Sequence, residues 1–393
     1  MTSGIKALIT PSVLKWAREQ AGMNITIAAE QIGRSENEID EWEKGVSLPS
    51  LAQARKISEK YKRALAVFYL PEPPKTYQTL RDYRSFNSSD DKIFSPQLSF
   101  LIQKAEHRQE WLNSTLLEEG KSPLSFIGSA SISSLTIEVS KNIKSVFKIT
   151  TKNQKESKTR DEALNLWIKG AENLGINICR EGKIDSKELR GFVISDKLAP
   201  FIYLNSNDAK AAQLFTLLHE VAHLWIDASG ISNIIIFKNK LPSKDEKVEI
   251  FCNEVASLVL LENEEFVKTW NLLPLDVKLN EKIEKCSSLF KVSEEVIARR
   301  LTDLGIIKNE QYEELREYYN KRWVDLQKKK KIKRQNQKGG PSVHLLQVLS
   351  NGKVFTRAIL NSYSADRITG VDASNYLNAK INHFYKLSKY AGL

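Results

Sequence analysis

Cysteine is scarce in this chain of 393 residues, with only 3 at scattered positions, Cys179, Cys252 and Cys286. The number is odd and no C-x-x-C spacing occurs, which excludes a disulfide framework of the kind found in small secreted domains. We therefore expect three buried thiols in a reducing compartment, the cytoplasm.

Long apolar runs are absent as well. A membrane-spanning helix needs about 20 consecutive apolar residues, and no stretch of this sequence approaches that length. The N-terminus also lacks a signal-peptide pattern. With 41% hydrophobic and 27% charged residues, the composition is that of an ordinary globular protein, long enough for two or three domains. We expect no membrane partner.

Acidic residues almost disappear between Lys321 and Lys338, where nine basic residues stand against Asp325 alone. This segment supplies eight of the eleven net positive charges of the chain. A run of this kind is typical of contacts to nucleic acid phosphates. A solvated linker is the alternative, which the Gly-Gly-Pro sequence at 339–341 favours, and the two roles are compatible.

The residues from Pro11 to Pro74 predict a bundle of short helices. Gly33 ends the second helix, Ser35 is a favourable N-cap for the third, and Gly45 ends the third. A helix, a tight turn with glycine and another helix are the layout of a helix-turn-helix domain. The expected core positions are Leu14, Trp16, Ala17, Ile39, Trp42, Leu51, Ala54, Ile57 and Tyr61.

The helix that would enter DNA, residues 36–44, is acidic. Its acids are Glu36, Glu38, Asp40, Glu41 and Glu43. Such a surface repels phosphate, and a carboxylate in the major groove can accept only from cytosine. The basic side chains that could contact DNA or a partner are Arg34, Lys44, Arg55 and Lys56. The domain is therefore at least as well suited to docking protein or to dimerisation as to operator binding.

The most specific motif is the H-E-x-x-H pentapeptide His219-Glu220-Val221-Ala222-His223. Apolar residues surround it at helical spacing, which predicts a buried helix. Two histidines at i and i+4 share one helix face and can reach one metal ion, with Glu220 beside them to polarise a water molecule. A chance match on a core helix is the alternative, and burial disfavours it because buried His and Glu need partners.

A hydrolytic metal site needs a third protein ligand and an open position for water. Residues 248–261 predict a second helix, on which Glu249 and Asn253 share a face. A Glu followed one turn later by Asp or Asn is the arrangement of gluzincin metallopeptidases, in which the second residue orients a histidine ligand. Glu249 is thus the predicted ligand, and the rivals are Glu246, Glu254 and the Cys252 thiolate.

This ligand set favours zinc, with manganese or iron as alternatives. Such a cation activates water and polarises a peptide carbonyl, and Glu220 would act as general base. Candidates for stabilising the oxyanion are Arg190, Tyr203 and Asn205, each with a structural role as the alternative. Two short strands are predicted before the motif, and the second, ending at Asn205, is expected to be the edge strand that aligns a substrate. Three further histidines, His107, His344 and His383, are isolated in sequence.

Together these segments resemble the bacterial and phage proteins that join an XRE-type helix-turn-helix to an ImmA/IrrE-type metallopeptidase domain. The stretches that carry the resemblance are Trp16-Ala17-Arg18-Glu19, Trp42-Glu43-Lys44-Gly45, Tyr61-Lys62-Arg63-Ala64, residues 68–74, Asp82-Tyr83-Arg84-Ser85, Leu189-Arg190-Gly191-Phe192, residues 200–205 and residues 215–224. Residues 249–256 resemble the family's Glu-x-x-Ala-Asn-x-Phe-Ala, with Cys252 and Val255 as departures. Residues 292–301 resemble the closing helical bundle, and residues 352–357 and 372–377 resemble a tail of the long members.

The resemblance implies a cytoplasmic zinc-dependent endopeptidase that cleaves a regulatory protein such as an XRE-type repressor. The expected fold is α+β and predominantly helical, with an all-α helix-turn-helix domain, a zincin-like domain with a small sheet and a small C-terminal domain. The expected divisions are a helix-turn-helix domain at 1–75, a helical linker region at 76–150, a metallopeptidase domain with its closing bundle at 151–320, a basic linker at 321–341 and a C-terminal tail domain at 342–393.

Two other functions are compatible with the sequence. The first is a DNA-binding transcriptional regulator whose metal domain senses a signal or is inactive. The second is an interaction protein, such as an antitoxin, that binds a partner without cutting it. The intact motif favours the peptidase, because an inactive relic would tend to lose Glu220 while it kept the packing of the helix.

Overall fold

The structure is a computed structural model that describes residues 5–74, 81–82, 95–232, 244–274, 276–335 and 339–393. The chain forms two compact units, the first of Met1–Leu80 with Phe86–His107 and the second of Arg81–Ser85 with Arg108–Leu393. The long helix expected between the domains is α5, Pro96–Glu118, and its residues are divided between the two units. Most of the Asp82-Tyr83-Arg84-Ser85 motif lies outside the described residues.

The first unit is the predicted set of short helices. They are α1 (Pro11–Gln20), α2 (Ile25–Ile32), α3 (Glu36–Lys44) and α4 (Leu51–Lys60), followed by a 3-10 helix at Leu65–Tyr69. Ser35 and Glu38 form a capping box at the start of α3, and Gly33 ends α2 with a φ of 72°. Left-handed backbone of this kind carries no Cβ penalty in glycine. Buried side chains from all four helices form one apolar core, which includes Leu14, Ala17, Ala28, Ile39, Trp42, Ala54, Ile57 and Tyr61.

The second unit contains a small sheet and most of the helices. In chain order its elements after α5 are α6 (Thr136–Phe147), α7 (Thr151–Glu156), α8 (Arg160–Asn173), β2 (Asn177–Glu181), β3 (Gly191–Ile194), β4 (Phe201–Asn205), α9 (Lys210–Trp225), β5 (Gly230–Ser232), α10 (Lys244–Leu260), α11 (Asn263–Leu272), α12 (Leu279–Phe290), α13 (Glu294–Asp303), α14 (Asn309–Gln335), α15 (Val343–Asn351), α16 (Lys353–Ser364), α17 (Gly370–Leu377), a 3-10 helix (Ile381–His383) and α18 (Phe384–Ala391), with β1 (Arg81–Asp82) before α5. The predominantly helical α+β fold is thereby confirmed.

The strand order in the described sheet is β1-β5-β3-β4-β2. Strand β3 is antiparallel to both β4 and β5, whereas β4 pairs in parallel with β2, with Cys179 opposite Tyr203. The expectation that the strand ending at Asn205 is an edge strand is therefore wrong. The side of β4 that does not pair with β3 pairs with β2. The paired residues of β2 and β4 are more than twenty positions apart in the chain, so this pairing has no local signal in the sequence.

The two faces of the sheet are covered by different helices. Ile178, Val193 and Ile202 belong to the same apolar core as residues of α8, α9 and α10. Successive side chains of a strand point to opposite faces, so Phe201 and Tyr203 belong to the other face, where the Phe201 ring packs against Phe355 of α16 with centroids 6.0 Å apart. The core of the unit therefore lies between the sheet and α8–α10.

The segment predicted as a C-terminal tail domain packs on β2 in this second unit. Asn177 of β2 accepts from the backbone N–H of Phe355 at 2.9 Å and donates to the carbonyl of Asn351 at 3.0 Å. Arg108 of α5 donates to the Asn351 side chain. Asn177 and Asn351 are both buried, and their hydrogen bonds connect the start of α16 to the sheet.

The basic run that starts at Lys321 lies on the C-terminal half of helix α14. Helix α14 continues to Gln335, so most of the segment predicted as a linker has helical backbone. Lysine and arginine have good helix propensity, so a Lys-rich sequence can extend a helix that is already formed. Lys338, at the end of the run, lies outside the described residues. Among the described residues, no helix combines the length and the apolar character that crossing a membrane requires.

Candidate metal centre

The centre is built on two helices of the apolar core, α9 and α10. Helix α9 is buried on almost every side, and its sequence KAAQLFTLLHEVAHLW has apolar residues all round, as a helix enclosed by protein requires. His219 and His223 are one turn apart on it and are each 0% exposed. Glu249, in the second turn of α10, is 2% exposed.

The structure brings these three side chains together. His219 Nε2 lies 3.1 Å from His223 Nε2, and the two carboxylate oxygens of Glu249 lie 3.3 Å and 3.2 Å from these nitrogens. They form the one group of three or more His, Cys, Asp or Glu side chains in the described part of the chain whose donor atoms could hold a metal ion.

The spacing of the donor atoms fits a zinc ion. Zinc binds imidazole nitrogen and carboxylate oxygen at about 2.0–2.2 Å, so adjacent ligand atoms of a zinc tetrahedron are about 3.4 Å apart. The separations of 3.1–3.3 Å are close to that edge, with each carboxylate oxygen of Glu249 facing a different imidazole. Two imidazoles and one carboxylate leave a fourth position for water, which is the arrangement of catalytic zinc sites.

The charges of the three groups depend on one another. Burial works against the charged form of Glu249, but the charge of His219 and hydrogen bonds from both histidines outweigh it and lower the pKa of Glu249 to about 2. For His219, burial lowers the pKa, yet the Glu249 and Glu220 carboxylates raise it by more. The pKa of His223 is lowered, first by burial and further by the charge of His219. The centre thus keeps an ionised carboxylate beside one neutral imidazole.

Glu220, the predicted general base, is fully buried next to the strand β3. A Cβ atom placed on Gly191 of that strand would lie 3.0 Å from Glu220 Oε1 and 2.5 Å from Thr216 Cγ2. Glycine at position 191 therefore lets the strand backbone approach α9 at the level of Glu220. In the sequence Gly191 is one residue of the stretch Leu189-Arg190-Gly191-Phe192, and nothing local there indicates this contact.

The structure separates Glu249 from Glu254 and Cys252, and Glu246 does not belong to the group that could hold a metal ion. Glu254 is exposed and accepts a hydrogen bond from Thr136 Oγ1 at 2.9 Å. Cys252 is fully buried, and burial raises the pKa of its thiol well above the usual value, with the charges of Glu249 and Glu220 adding to the effect. A thiol held in this way is protonated and a poor metal ligand. An interaction with the Asn253 side chain contributes to raising the pKa of His219. Asn253 therefore lies beside one of the two histidines that it could orient.

Of the three oxyanion candidates, two are used elsewhere. Tyr203 stacks on Phe192 with ring centroids 4.4 Å apart, on the sheet face away from α9. The Asn205 side chain donates to the carbonyls of Ile184 and Leu189 at 2.9 and 2.8 Å, so it holds the preceding loop. Arg190 is partly exposed and lies 3.9 Å from Asp208.

Two of the histidines that are isolated in sequence are neighbours in space. The rings of His344 and His383 have centroids 4.7 Å apart. The pKa of His383 is lowered, first by desolvation and then by the charge of His344. The pair does not belong to the metal-binding group of His219.

The basic residues predicted to contact DNA or a partner fall into two groups. Arg34 and Lys44 form ion pairs with Glu38 and Asp40, at 3.6 Å and 2.6 Å. Arg55 and Lys56 of α4 are exposed. One of the five acidic side chains of α3, that of Glu43, does not lie on the surface of the helix.

Glu43 is directed into the first unit. Its carboxylate accepts from Arg18 Nε at 2.7 Å and from Arg18 Nη2 at 2.9 Å, and both side chains are less than a tenth exposed. Arg18 also donates to the carbonyl of Met23. Glu43 therefore does not add to the acidic surface of α3, because a buried arginine of α1 binds its carboxylate.

Comparison with protein families assigns both parts of the chain. Residues 14–68 match the family described as Helix-turn-helix, and residues 171–302 match the family described as IrrE N-terminal-like domain, a peptidase family. The second match contains α9 and α10 with the whole metal centre. No curated protein and no solved structure matches the chain. The chain thus joins an XRE-type helix-turn-helix to an ImmA/IrrE-like metallopeptidase segment, as its sequence predicts.

Proposed function

We propose that this protein is a zinc-dependent endopeptidase that cleaves a regulatory protein in the cytoplasm. The observation that carries the proposal is the convergence of His219, His223 and Glu249 at separations of 3.1–3.3 Å in a buried site. Three buried donors of this kind are costly to enclose unless a cation satisfies them. Zinc is proposed over manganese and iron because two imidazoles and one carboxylate in a tetrahedral arrangement are typical of it.

Each residue of the centre has a proposed role. A bound zinc ion would lower the pKa of water and polarise the carbonyl of the scissile peptide bond. His219, His223 and Glu249 would hold the ion, and Asn253 would keep the His219 ring in place. Glu220 would take the proton of the attacking water and pass it to the leaving amine. The burial of Glu220 favours this role, since a carboxylate out of water is a stronger base.

The substrate class comes from the resemblance. The family cleaves XRE-type repressors, and this chain carries an XRE-type helix-turn-helix of its own at residues 14–68. The helix-turn-helix domain of this chain could recruit a repressor by associating with the repressor's own helix-turn-helix domain. The ion pairs of Arg34 and Lys44 support docking to protein, because these cations are already partly neutralised.

The test is cleavage of candidate repressors. The zinc-loaded protein is incubated with purified XRE-type repressors, beside the Glu220→Gln variant, and the products are read by mass spectrometry. The proposal predicts discrete fragments from at least one repressor in the wild type and none in the variant. Fragments that appear equally with Glu220→Gln would refute it, as would an intact repressor panel in the presence of bound zinc.

A DNA-binding regulator is the second candidate function. The family match at residues 14–68 favours it, as do the exposed Arg55 and Lys56. A regulator of this type would bind one duplex sequence tightly, with an affinity that falls steeply as salt rises. Substituting Arg55 and Lys56 by glutamine would then weaken binding uniformly across sequences and reduce the salt slope.

A further inference from the structure

A large cavity lies in the second unit beside the metal centre. It measures about 1380 Å³ and is lined by residues at the starts of α6, α8, α9 and α11 and by residues of α10, α13 and α14. Pockets for small ligands commonly measure about 300–1,000 Å³. The cavity therefore has room for more than a typical metabolite.

The cavity reaches the metal centre through two residues of its wall. One is Asn253, which acts on the His219 ring. The other is Phe215, one helical turn before His219 on α9. The cavity and the metal centre are therefore built on the same two helices, α9 and α10.

One wall of the cavity is a continuous stripe of helix α14. Tyr312, Arg316, Tyr319 and Trp323 all line it, and their spacing of four, three and four residues places them on one helix face. From the first to the last the helix rises about 16 Å. An extended polypeptide covers that distance with about five residues.

The wall carries hydrogen-bond donors that nothing in the described part of the chain uses. The hydroxyls of Tyr312 and Tyr319 and the Nε–H of Arg300 are buried without a hydrogen-bond partner among the described residues. Tyr312 is 1% exposed and Arg300 is 5% exposed. Burial raises the pKa of Tyr312 to about 12 and also raises that of Tyr319, so both hydroxyls stay protonated. Buried donors of this kind call for acceptors.

The ionised groups of the wall are largely satisfied by one another. Arg160 lies 3.6 Å from Glu294, and Arg316 lies 3.9 Å from Glu295. A highly charged ligand would have to displace these pairs. A chain of peptide carbonyl oxygens supplies neutral acceptors at regular intervals and leaves the pairs intact.

We propose that this cavity binds an extended segment of the polypeptide substrate, about five residues long, on one side of the scissile bond. The hydroxyls of Tyr312 and Tyr319 and the Arg300 guanidinium donate to carbonyl or carboxylate oxygens of that segment. This inference rests on the proposed endopeptidase function and adds the place where the substrate lies.

Photo-cross-linking tests the location directly. The probe is a degenerate decapeptide library with one central benzoylphenylalanine, irradiated with the full-length, zinc-loaded Glu220→Gln variant. The cross-linked residues are then mapped by mass spectrometry. The proposal predicts cross-links concentrated on the cavity-lining residues of α13 and α14, such as Val296 and Trp323. Cross-links confined to other surfaces, or none at all, would overturn it.

Tyrosine-to-phenylalanine variants test the donors. In Tyr312→Phe and Tyr319→Phe the ring remains and only a hydroxyl without an internal partner is lost, so the melting temperature should not fall. We expect the cross-linking yield at a fixed peptide concentration to drop by about fivefold for each hydroxyl. The matched control is Tyr318→Phe on the same helix, whose side chain is half exposed and does not line the cavity. Equal yields in all three variants would refute the role of the donors.

These measurements separate the two proposals. Peptide binding in the cavity does not require turnover, so cross-links on α13 and α14 without any repressor cleavage would refute the peptidase and keep the peptide site. Cleavage with cross-links elsewhere would refute the peptide site alone. Peptide cross-links in the cavity that disappear when inorganic phosphate is added would instead indicate a small anion as the ligand and overturn the proposal.

Discussion

The most deeply buried charged and titratable groups of the two units are arranged in different ways. In the helix-turn-helix unit, cations and carboxylates neutralise each other in pairs, as in Arg18 with Glu43 at 2.7 Å and Lys44 with Asp40 at 2.6 Å. In the second unit, the ligand atoms of His219, His223 and Glu249 lie close to one another in a site with almost no exposure. The first arrangement pairs opposite charges within the protein, whereas the second brings together three groups that can ligate a metal ion.

This difference indicates which buried polar groups stabilise the fold and which favour the binding of a metal ion. A carboxylate paired with arginine contributes to the fold and has little left for a partner. A buried group of two imidazoles and a carboxylate stabilises the fold poorly by itself and gains from a bound metal ion. Removal of a paired charge should therefore affect folding, and removal of a donor from the metal centre should affect binding and catalysis.

The largest effect is expected from Glu220→Gln. Glutamine keeps the size of the side chain but cannot take a proton, and general-base catalysis contributes about 10²–10⁴-fold to such reactions. Cleavage of a repressor substrate should fall by at least about a hundredfold, with bound zinc and the melting temperature unchanged. Cleavage that persists at the wild-type rate would show that Glu220 is not the base.

The next effect is on the stability of the helix-turn-helix unit in Glu43→Ala. Removal of one partner of a buried ion pair costs about 3–5 kcal/mol, because the remaining charge stays buried without compensation. Hydrogen exchange should accelerate in residues 11–69 and stay unchanged in α9 and α10. Unchanged exchange in the first unit would contradict the role assigned to the Arg18 pair.

A smaller loss of stability is expected in the second unit from Gly191→Ala. The added Cβ would lie 2.5 Å from Thr216 Cγ2 and 3.0 Å from Glu220 Oε1, and overpacking of this kind costs about 1–3 kcal/mol. Because the added methyl group would displace the Glu220 carboxylate, the rate of cleavage should fall by more than the loss of folded protein accounts for. The matched control is Gly340→Ala, where a Cβ would meet nothing within 4 Å. Equal activity in the two variants would refute the contact.

The smallest effect is expected from Asp40→Ala. The Lys44–Asp40 pair lies on the surface, with the lysine side chain 66% exposed, and such pairs contribute about 0–1 kcal/mol. Thermal unfolding should be nearly unchanged, in contrast to Glu43→Ala on the same helix. The variant frees Lys44, so a gain in DNA affinity at low salt would support the regulator, and no gain would support docking to protein.

The sequence predicts best what depends on neighbouring residues. The four helices of the first unit follow from local signals such as Gly33, Ser35 and Gly45, and the structure confirms them. The pairing of His219 with His223 is equally local, since it needs only the helical repeat. The family matches confirm both domain types.

Features that join distant parts of the chain could not be predicted. Glu43 is buried because Arg18 reaches it from another helix, and β4 is internal because β2 pairs with it. The cavity is lined by helices from α6 to α14, and the buried hydroxyls of Tyr312 and Tyr319 come together in its wall only once those helices are packed. Each of these contacts was decided by packing, for which a single sequence has no periodic signal.

The most direct test of the central claim is the amount of zinc bound per chain, measured for wild type, Glu249→Ala and Glu254→Ala after dialysis against zinc. The matched control, Glu254, lies on the same helix but is exposed and bonded to Thr136. We expect about one zinc ion in wild type and in Glu254→Ala and a much weakened or absent ion in Glu249→Ala. Wild-type protein that binds no zinc, or equal zinc in both variants, would contradict the account.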